Sequence, residues 1–326
     1  MIDLCCGLGG ISHAARELGC RIVAGVDTSA TALASFEHNF AGAQAIQGSV
    51  TRRSTLEACR EAMQSDSPSV RTLVVSGPPC QGFSAAGPRA KRDPRNRVLM
   101  AVARAIVALS PDAAIVENVA TLMGPTHKRS LSRFRRILDD GGYSVVVLRL
   151  NAADFGVPQI RQRMICFASR EPLRESAIRS SLESLKRPCP TVRVAFAGLT
   201  RPATYRGPKV HIKTKVPNHI GMRHSLIVRT KIAKILPGKG PMSYRRLHPD
   251  RPARTLISGH RAPPAHYSQA RSITPREAAR LQGFPDTFEV KGTFANQMLH
   301  VTNAVPPPLA LAAIAAFLNA RRAANA

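Results

Sequence analysis

Four short stretches hold residue types that can do chemistry. Gly77-Pro78-Pro79-Cys80-Gln81-Gly82-Phe83-Ser84 follows the apolar run Leu73–Ser76 directly. Two prolines fix the backbone just before Cys80, and Gly82 frees it just after. A cysteine is most often a small buried hydrophobe. Cys80 differs because it stands in a rigid polar loop. A thiol at the C-terminal end of a strand faces the ligand crevice of an open α/β sheet, where its thiolate is a nucleophile. Glu117-Asn118 ends a second apolar run, Ala113–Val116. A carboxyl group there is half desolvated, a setting for proton transfer; a helix cap is the plainer alternative. In Gln159-Ile160-Arg161-Gln162-Arg163, strand alternation puts Gln159, Arg161 and Arg163 on one face. Arginines so aligned suit a phosphate or a base carbonyl, or else a surface ion-pair ladder. In Asp3-Leu4-Cys5-Cys6-Gly7-Leu8-Gly9-Gly10, glycines between strand and helix let a ligand approach the backbone, and the helix start offers free N–H groups. Asp27, twenty residues after Gly7, ends the next strand, the place for a carboxylate gripping ribose hydroxyls. Ser12 stands where a dinucleotide fingerprint has its third glycine. The loop alone therefore leaves a nucleoside site and a tight packing turn equally open.

These residues need a frame, and the apolar patterning supplies one. Ile22–Val26, Leu73–Ser76, Ala113–Val116, Val145–Leu150 and Met164–Ala168 read as buried strands, after a short first strand, Met1–Leu4. Helical patterns lie between them at Ser12–Leu18, Thr31–Phe40, Arg97–Ala108 and Lys128–Leu138. Alternation of near-continuous apolar strands with helices predicts a parallel sheet covered by helices. The character changes after Ser169. From Ser184 to Pro249 there are fifteen Lys or Arg and no Asp or Glu, broken by Pro and Gly without a long helical period. Such a stretch is expected to contact nucleic acid. After Arg251 globular character returns. Thr274-Pro275-Arg276-Glu277 is a capping box that starts a helix through Leu281, and Pro306–Pro308 precedes a helix over Leu309–Asn319. The expected domains are 1–170, 171–250 and a return over 251–326.

A length of 326 residues fits two packed units, or one domain with an addition. Hydrophobic content of 44% excludes a disordered chain. No unbroken apolar run reaches about 18 residues, so no membrane-crossing helix is expected. Met1-Ile2-Asp3 lacks the basic start of an export signal. Lys and Arg number 47 against 20 Asp and Glu, a formal charge of +27, which favours a polyanionic partner. Seven irregularly placed cysteines read as thiols of a cytoplasmic protein.

Together the motifs resemble the DNA (cytosine-5)-methyltransferases, in the bacterial or phage style, over nearly the whole chain and in the family's order. Asp3–Gly10 looks like the S-adenosyl-L-methionine (AdoMet) loop, Asp27 like the ribose acid, and Gly77–Ser84 like the catalytic loop with Cys80 as nucleophile. Asp93-Pro94-Arg95-Asn96-Arg97 looks like the stretch that follows it. Glu117-Asn118-Val119 resembles the proton-donor motif, and Asn151–Val157 with Gln159-x-Arg161-x-Arg163 the base-contacting motif. Arg251–Leu256 resembles the motif closing the target recognition domain; Thr274–Pro285 and Asn303–Pro306 complete the series. The resemblance implies a Rossmann-like catalytic α/β domain with a mostly parallel sheet, plus a small irregular basic recognition domain. It implies AdoMet held by Asp3, Cys5, Gly7, Gly9, Gly10, Asp27, Thr28, Ser49, Pro78, Asn303 and Val305, and no metal. The catalytic residues would be Cys80, Glu117, Arg161 and Arg163.

The implied reaction follows from the base. Cytosine C5 is a poor nucleophile until a thiolate adds to C6 and turns the ring into an enamine. Glu117 would then protonate N3, Arg163 hold O2 and Arg161 steady the loop. The target atom is out of reach inside a stacked duplex, so the base must be flipped out of the DNA. A monomer is expected, with a companion restriction endonuclease acting on the same site as a further partner. A non-catalytic DNA-binding regulator and an RNA cytosine-5 methyltransferase are the alternatives. Departures fall on the cofactor side: Cys5 stands where the family has Phe, Ser49 where it has Asp, and His300 and Thr302 where it has Gln and Gly.

Overall fold

The structure, a computed structural model, describes residues 1–64, 70–79, 96–204, 215–241, 244–257 and 263–325. Two compact units result. The first comprises Met1–Asn151, Gln162–Lys186 and Pro307–Ala326, the second Ala152–Arg161 and Arg187–Pro306.

The first unit is built on β1 (Ile2–Leu4), β2 (Ala24–Asp27), β3 (Gln44–Gln47), β4 (Leu73–Ser76), β5 (Ala113–Val119) and β6 (Ser144–Asn151). The two-residue β7 (Gln159–Ile160) belongs to the second unit, and β8 (Gln162–Ser169) completes the sheet. Sheet order is β3-β2-β1-β4-β5-β8-β6. The first five strands run parallel; β8 is antiparallel to both β5 and β6. The sheet is therefore mostly parallel, as expected. Its central strands are largely apolar because helices cover both faces. Alternation along β8 shows this: Met164, Cys166 and Ala168 join the core packed by α4 (Asn96–Leu109) and α5 (Lys128–Asp140). Phe167, pointing the other way, stacks on Phe317 with ring centroids 6.3 Å apart. Phe317 belongs to the C-terminal helix Pro307–Asn325, which packs against α1 (Gly10–Glu17) and the helix Glu175–Ser184. The remaining helices of this unit are α2 (Ala30–Asn39) and α3 (Arg53–Met63).

In chain order the later helices are α6 (Glu175–Ser184), α7 (Val192–Ala195), α8 (Leu226–Ala233), α9 (Pro275–Leu281), α10 (Phe294–Asn303) and α11 (Pro307–Asn325). Of these, α7 to α10 belong to the second unit. The capping box forms as read: Thr274 Oγ1 accepts from Glu277 N at 3.1 Å, and Glu277 Oε2 accepts from Thr274 N at 2.7 Å. Parallel pairing of β7 with β11 (Ala253–Arg254) joins the two segments of this unit. Around it Gln159 acts as a clamp. Its Nε2 donates to Leu281 O at 2.9 Å and Gln282 Oε1 at 3.0 Å, while its Oε1 accepts from Leu256 N at 2.9 Å. Arg276 is wholly buried and donates to the carbonyls of Pro217, Pro285 and Phe288, so its charge is spread over backbone dipoles.

Two observations refine the sequence reading. Among its described residues the basic stretch holds two short helices, α7 and α8, the latter with a narrow buried stripe. The 29-residue stretch Phe294–Arg322 is long and apolar enough to cross a membrane by length and composition. Most of its apolar window, 78%, is buried inside the protein. Packing of α11 against α1 and α6 accounts for that composition.

The turn from β1 into α1 demands glycine at one position above all. Gly9 has φ +87°, and a Cβ there would lie 2.4 Å from the Phe40 ring. Left-handed strain of about 1–2 kcal/mol adds to overpacking of about 1–3 kcal/mol. Gly9→Ala is expected to lower unfolding free energy by roughly 2–5 kcal/mol in urea titration. A loss no larger than the ~1–2 kcal/mol of backbone strain would mean that Phe40 moves aside freely.

Candidate active site

Chemistry-bearing residues of the first unit gather where the parallel strands end. Strand order reverses between β1 and β4, the switch point at which open α/β sheets bind ligands. Along that edge the sheet order gives Ser49 after β3, Asp27 ending β2, Cys5–Gly7 after β1, Pro78 after β4 and Glu117 in β5.

The glycine turn and Asp27 form one piece. Cys5 and Gly7 both have positive φ, 58° and 54°. Gly7 N donates to Asp27 Oδ2 at 2.9 Å, and Ser29 N donates to Oδ1 at 2.9 Å. Asp27 is thus pinned, half-buried, with lone pairs remaining on both oxygens. Nothing lies within 4 Å of where a Gly7 side chain would be, in contrast to Gly9. Gly10 is buried as the first residue of α1, and Thr28 is exposed. Ser49 is half-buried, with Oγ 2.8 Å from Thr51 Oγ1. Burial pushes the Cys5 and Cys6 thiols well up, aided by Asp3 and Asp27, so neither is a ready thiolate.

Asp3 is 1% exposed in the middle of β1. Its Oδ2 accepts from Ser12 Oγ at 2.7 Å; its Oδ1 has no partner among the described residues. Burial pushes its pKa up to about 7, with the charge of Asp27 adding to the shift and the Ser12 bond opposing it.

Glu117 and Arg163 meet because of strand register. Glu117 faces Ile165 and Val119 faces Arg163 across the antiparallel β5–β8 pair. The two charged residues are diagonal neighbours on one face, within reach of long side chains. Arg163 Nε lies 2.7 Å from Glu117 Oε1, both side chains 10% exposed. It is an ion pair without hydrogen-bond alignment; Arg163 Nη1 donates instead to Gln162 O at 2.7 Å. Asn118 points the other way, and its Nδ2 donates to the buried Pro78 carbonyl at 3.2 Å. That bond ties β5 to the loop two residues before Cys80. Cys80 itself, Gln81–Ser84 and Asp93–Arg95 lie outside the described residues.

Arg161, Asn303 and Val305 belong to the second unit. Arg161 is buried, with Nη1 donating to Thr302 O at 3.2 Å and Nη2 to Ala304 O at 3.1 Å. It holds the backbone on either side of Asn303, which is exposed, while Val305 is buried. Sequence reasoning missed Gln159 and Gln282 as positioning residues. Gln282 Nε2 donates to Val301 O at 2.9 Å, so the two amides join β7 to the end of α10. Their only signal was an amide inside otherwise apolar surroundings.

The family profile for C-5 cytosine-specific DNA methylases matches residues 1–319. The chain belongs to that family. It is 32% identical to the Type II methyltransferase M1.HphI of Haemophilus parahaemolyticus, over 97% of this chain and 86% of the relative. Identity to the Type II methyltransferase M.XorII of Xanthomonas oryzae pv. oryzae is 30%, over 98% and 85%. Among solved structures, an E. coli prophage protein described as a putative DNA modification methyltransferase superposes with TM-score 0.79 at 25% identity, covering 98% of this chain and 99% of that one. The Schizosaccharomyces pombe Dnmt2 methyltransferase, at 17% identity and TM-score 0.65, shares the fold.

As a C-5 cytosine methylase the protein uses AdoMet to methylate cytosine in DNA. The residues present fit that cofactor. A side-chain-free opening at Gly7 stands beside a pinned acid with spare lone pairs, which suits a ribose. The desolvated Asp3 carboxyl, whose Oδ1 has no partner among the described residues, offers a pH test. It ionises near 3.8 when exposed and at about 7 in the folded protein, so the folded state holds the extra proton between these values. Stability therefore falls as pH rises through that window. Asp3→Asn keeps an acceptor for Ser12 and removes this dependence. Its stability advantage over wild type, from urea titrations without cofactor, is expected to grow by on the order of 4 kcal/mol between about pH 4 and 8. A difference that does not change with pH would mean that Asp3 stays ionised throughout.

Proposed function

We propose that this methylase acts through Cys80, with Glu117 and Arg163 gripping the flipped cytosine of a duplex. The observation that supports it is the Glu117–Arg163 pair at the sheet edge next to the loop that leads into Cys80. N3 and O2 are neighbouring atoms of cytosine, and a carboxyl group touching a guanidinium is spaced to address both. The Cys80 thiolate adds to C6, forming an S–C6 bond as N3 takes a proton from Glu117, which must carry that proton into the step and returns to the carboxylate paired with Arg163 on giving it up. Arg163 donates to O2, where charge develops. Electron density moved onto C5 takes the methyl group that bound AdoMet supplies. Loss of the C5 proton and of the sulfur from C6 restores the aromatic ring. Arg161 is a positioning residue, holding the backbone around Asn303. The basic stretch Ser184–Pro249, inside the expected recognition domain 171–250 of which residues up to Lys186 fold with the first unit, serves in recognition, its cations neutralising phosphates. A Type II restriction–modification setting, suggested by the relatives, would bring a companion endonuclease for the same site. We read the protein as a cytoplasmic monomer.

Expression in a methylation-free host, followed by bisulfite sequencing of its genome, tests this reading. Cys80→Ser is expected to abolish methylation while DNA binding persists, because a hydroxyl of much higher pKa cannot replace the thiolate. Turnover retained by that variant would move the nucleophile elsewhere. Glu117→Gln should slow methyl transfer by about 10² or more; a rate within about twofold of wild type would remove Glu117 from the chemistry.

Ser49 bears on cofactor affinity. Its hydroxyl is already engaged with Thr51 and carries no charge. A hydrogen bond to a charged group contributes about 0.5–2 kcal/mol more than one to a neutral group. Ser49→Asp should tighten AdoMet binding in calorimetry by about 2- to 30-fold at unchanged DNA affinity. Unaltered binding would mean that another group, such as Asp27, already satisfies the adenosine.

A further inference from the structure

Helix α8 is apolar on the wrong side. A helix in a globular unit buries its apolar stripe, yet Leu226 is 76% and Ile227 69% exposed, while Ile232 is fully buried. At about 100° per residue, Leu226, Thr230 and Ala233 form one stripe, roughly opposite Val228 and Ile232. All three are exposed. Exposed Arg229 flanks the stripe on one side; exposed Lys234 and Ile227 flank it on the other, with exposed Lys231 further round the helix. None of these cations pairs with a carboxylate among the described residues, and no acid occurs anywhere between Ser184 and Pro249. Ser225 caps the helix start, its Oγ accepting from Val228 N at 3.4 Å.

Small apolar and hydroxyl side chains in the centre, with cations on both flanks, fit the inside of a DNA major groove. That groove admits one helix, its two walls are phosphates, and its floor carries base edges. The 5-methyl of thymine is the apolar feature on that floor, and recognition helices present their N-terminal residues to it. We propose that α8 lies in the major groove of the target duplex, with Leu226 against a thymine methyl group and Arg229, Lys231 and Lys234 on the phosphates. The proposal rests on the reading that this protein methylates duplex DNA. It adds the element that selects the sequence.

The test uses the whole protein with AdoMet. Bisulfite sequencing of a methylated random duplex library gives the recognition sequence of wild type, Leu226→Ala and Lys234→Ala. Duplexes with uracil in place of each thymine are then compared. In wild type, uracil at one position should lower kcat/KM about fourfold, the worth of burying one methyl group. In Leu226→Ala that discrimination should vanish, with other base pairs accepted at the same position. Lys234→Ala should weaken binding to all duplexes alike and make the slope of log K against log salt shallower by about one. Leu226 is a surface residue, and an unchanged melting temperature shows that its variant folds. Leu226→Ala that keeps both the wild-type recognition sequence and the thymine–uracil discrimination overturns the proposal and leaves the exposed stripe to a protein partner. A recognition sequence of G·C pairs alone overturns it equally. Wild type that methylates no duplex defeats the DNA-methylation reading together with it.

Discussion

Everything at the active site depends on β1 pairing in parallel with β2 on one side and β4 on the other. Three buried residues, Ile2 to Leu4, serve both neighbours. Because the strands are parallel, each delivers its C-terminal residues to the same edge. Because strand order reverses at this point, the helices that follow β1 and β4 diverge and leave a crevice. The glycine turn and the Pro78 loop open into it side by side. Ser76 Oγ donates to Leu4 O at 2.6 Å, locking the two strand ends together. A shift of one residue between β1 and β4 would turn the side chains of one strand to the other face.

The antiparallel β8 extends that edge. A sixth parallel strand would bring its N-terminal end to the opposite side of the sheet. Running the other way, β8 begins where β5 ends, so Arg163 starts its strand beside Glu117. Both charges are nearly buried, and removing one would leave the other uncompensated. The same strand end sends Asn118 to the opposite face, where it fixes Pro78. One β5 terminus therefore holds both the Glu117 carboxylate beside Arg163 and the Pro78 backbone.

Much of this was legible in sequence because the signals were local. Leu73–Ser76 is an apolar run cut off by Gly-Pro-Pro, and it is a strand over those residues. Thr274, Pro275 and Glu277 announce their own helix. The strand β3 was not legible: it lies at the sheet edge, and Gln44 and Gln47 face solvent. Pairing of Glu117 with Arg163 depends on register between segments about 46 positions apart in the chain, which no local pattern encodes. Strand alternation places Gln159 on one face with Arg161 and Arg163. Its amide instead binds backbone and an amide supplied by residues 256, 281 and 282. Helix α8 escaped notice because its apolar residues face both ways, Ile232 buried but Leu226 and Ile227 exposed, so its period does not mark a core.

The chain leaves the first unit after Lys186 and returns to it only at Pro307. On the ribosome, α11 therefore emerges after the whole of the second unit. Until then α1 and α6 lack the helix that packs against them, and Phe167 lacks Phe317. A nascent chain stalled before Pro307 would expose apolar faces, the usual trigger for chaperone or protease capture. The first unit is thus closed by its last helix only after the whole of the second unit has been made.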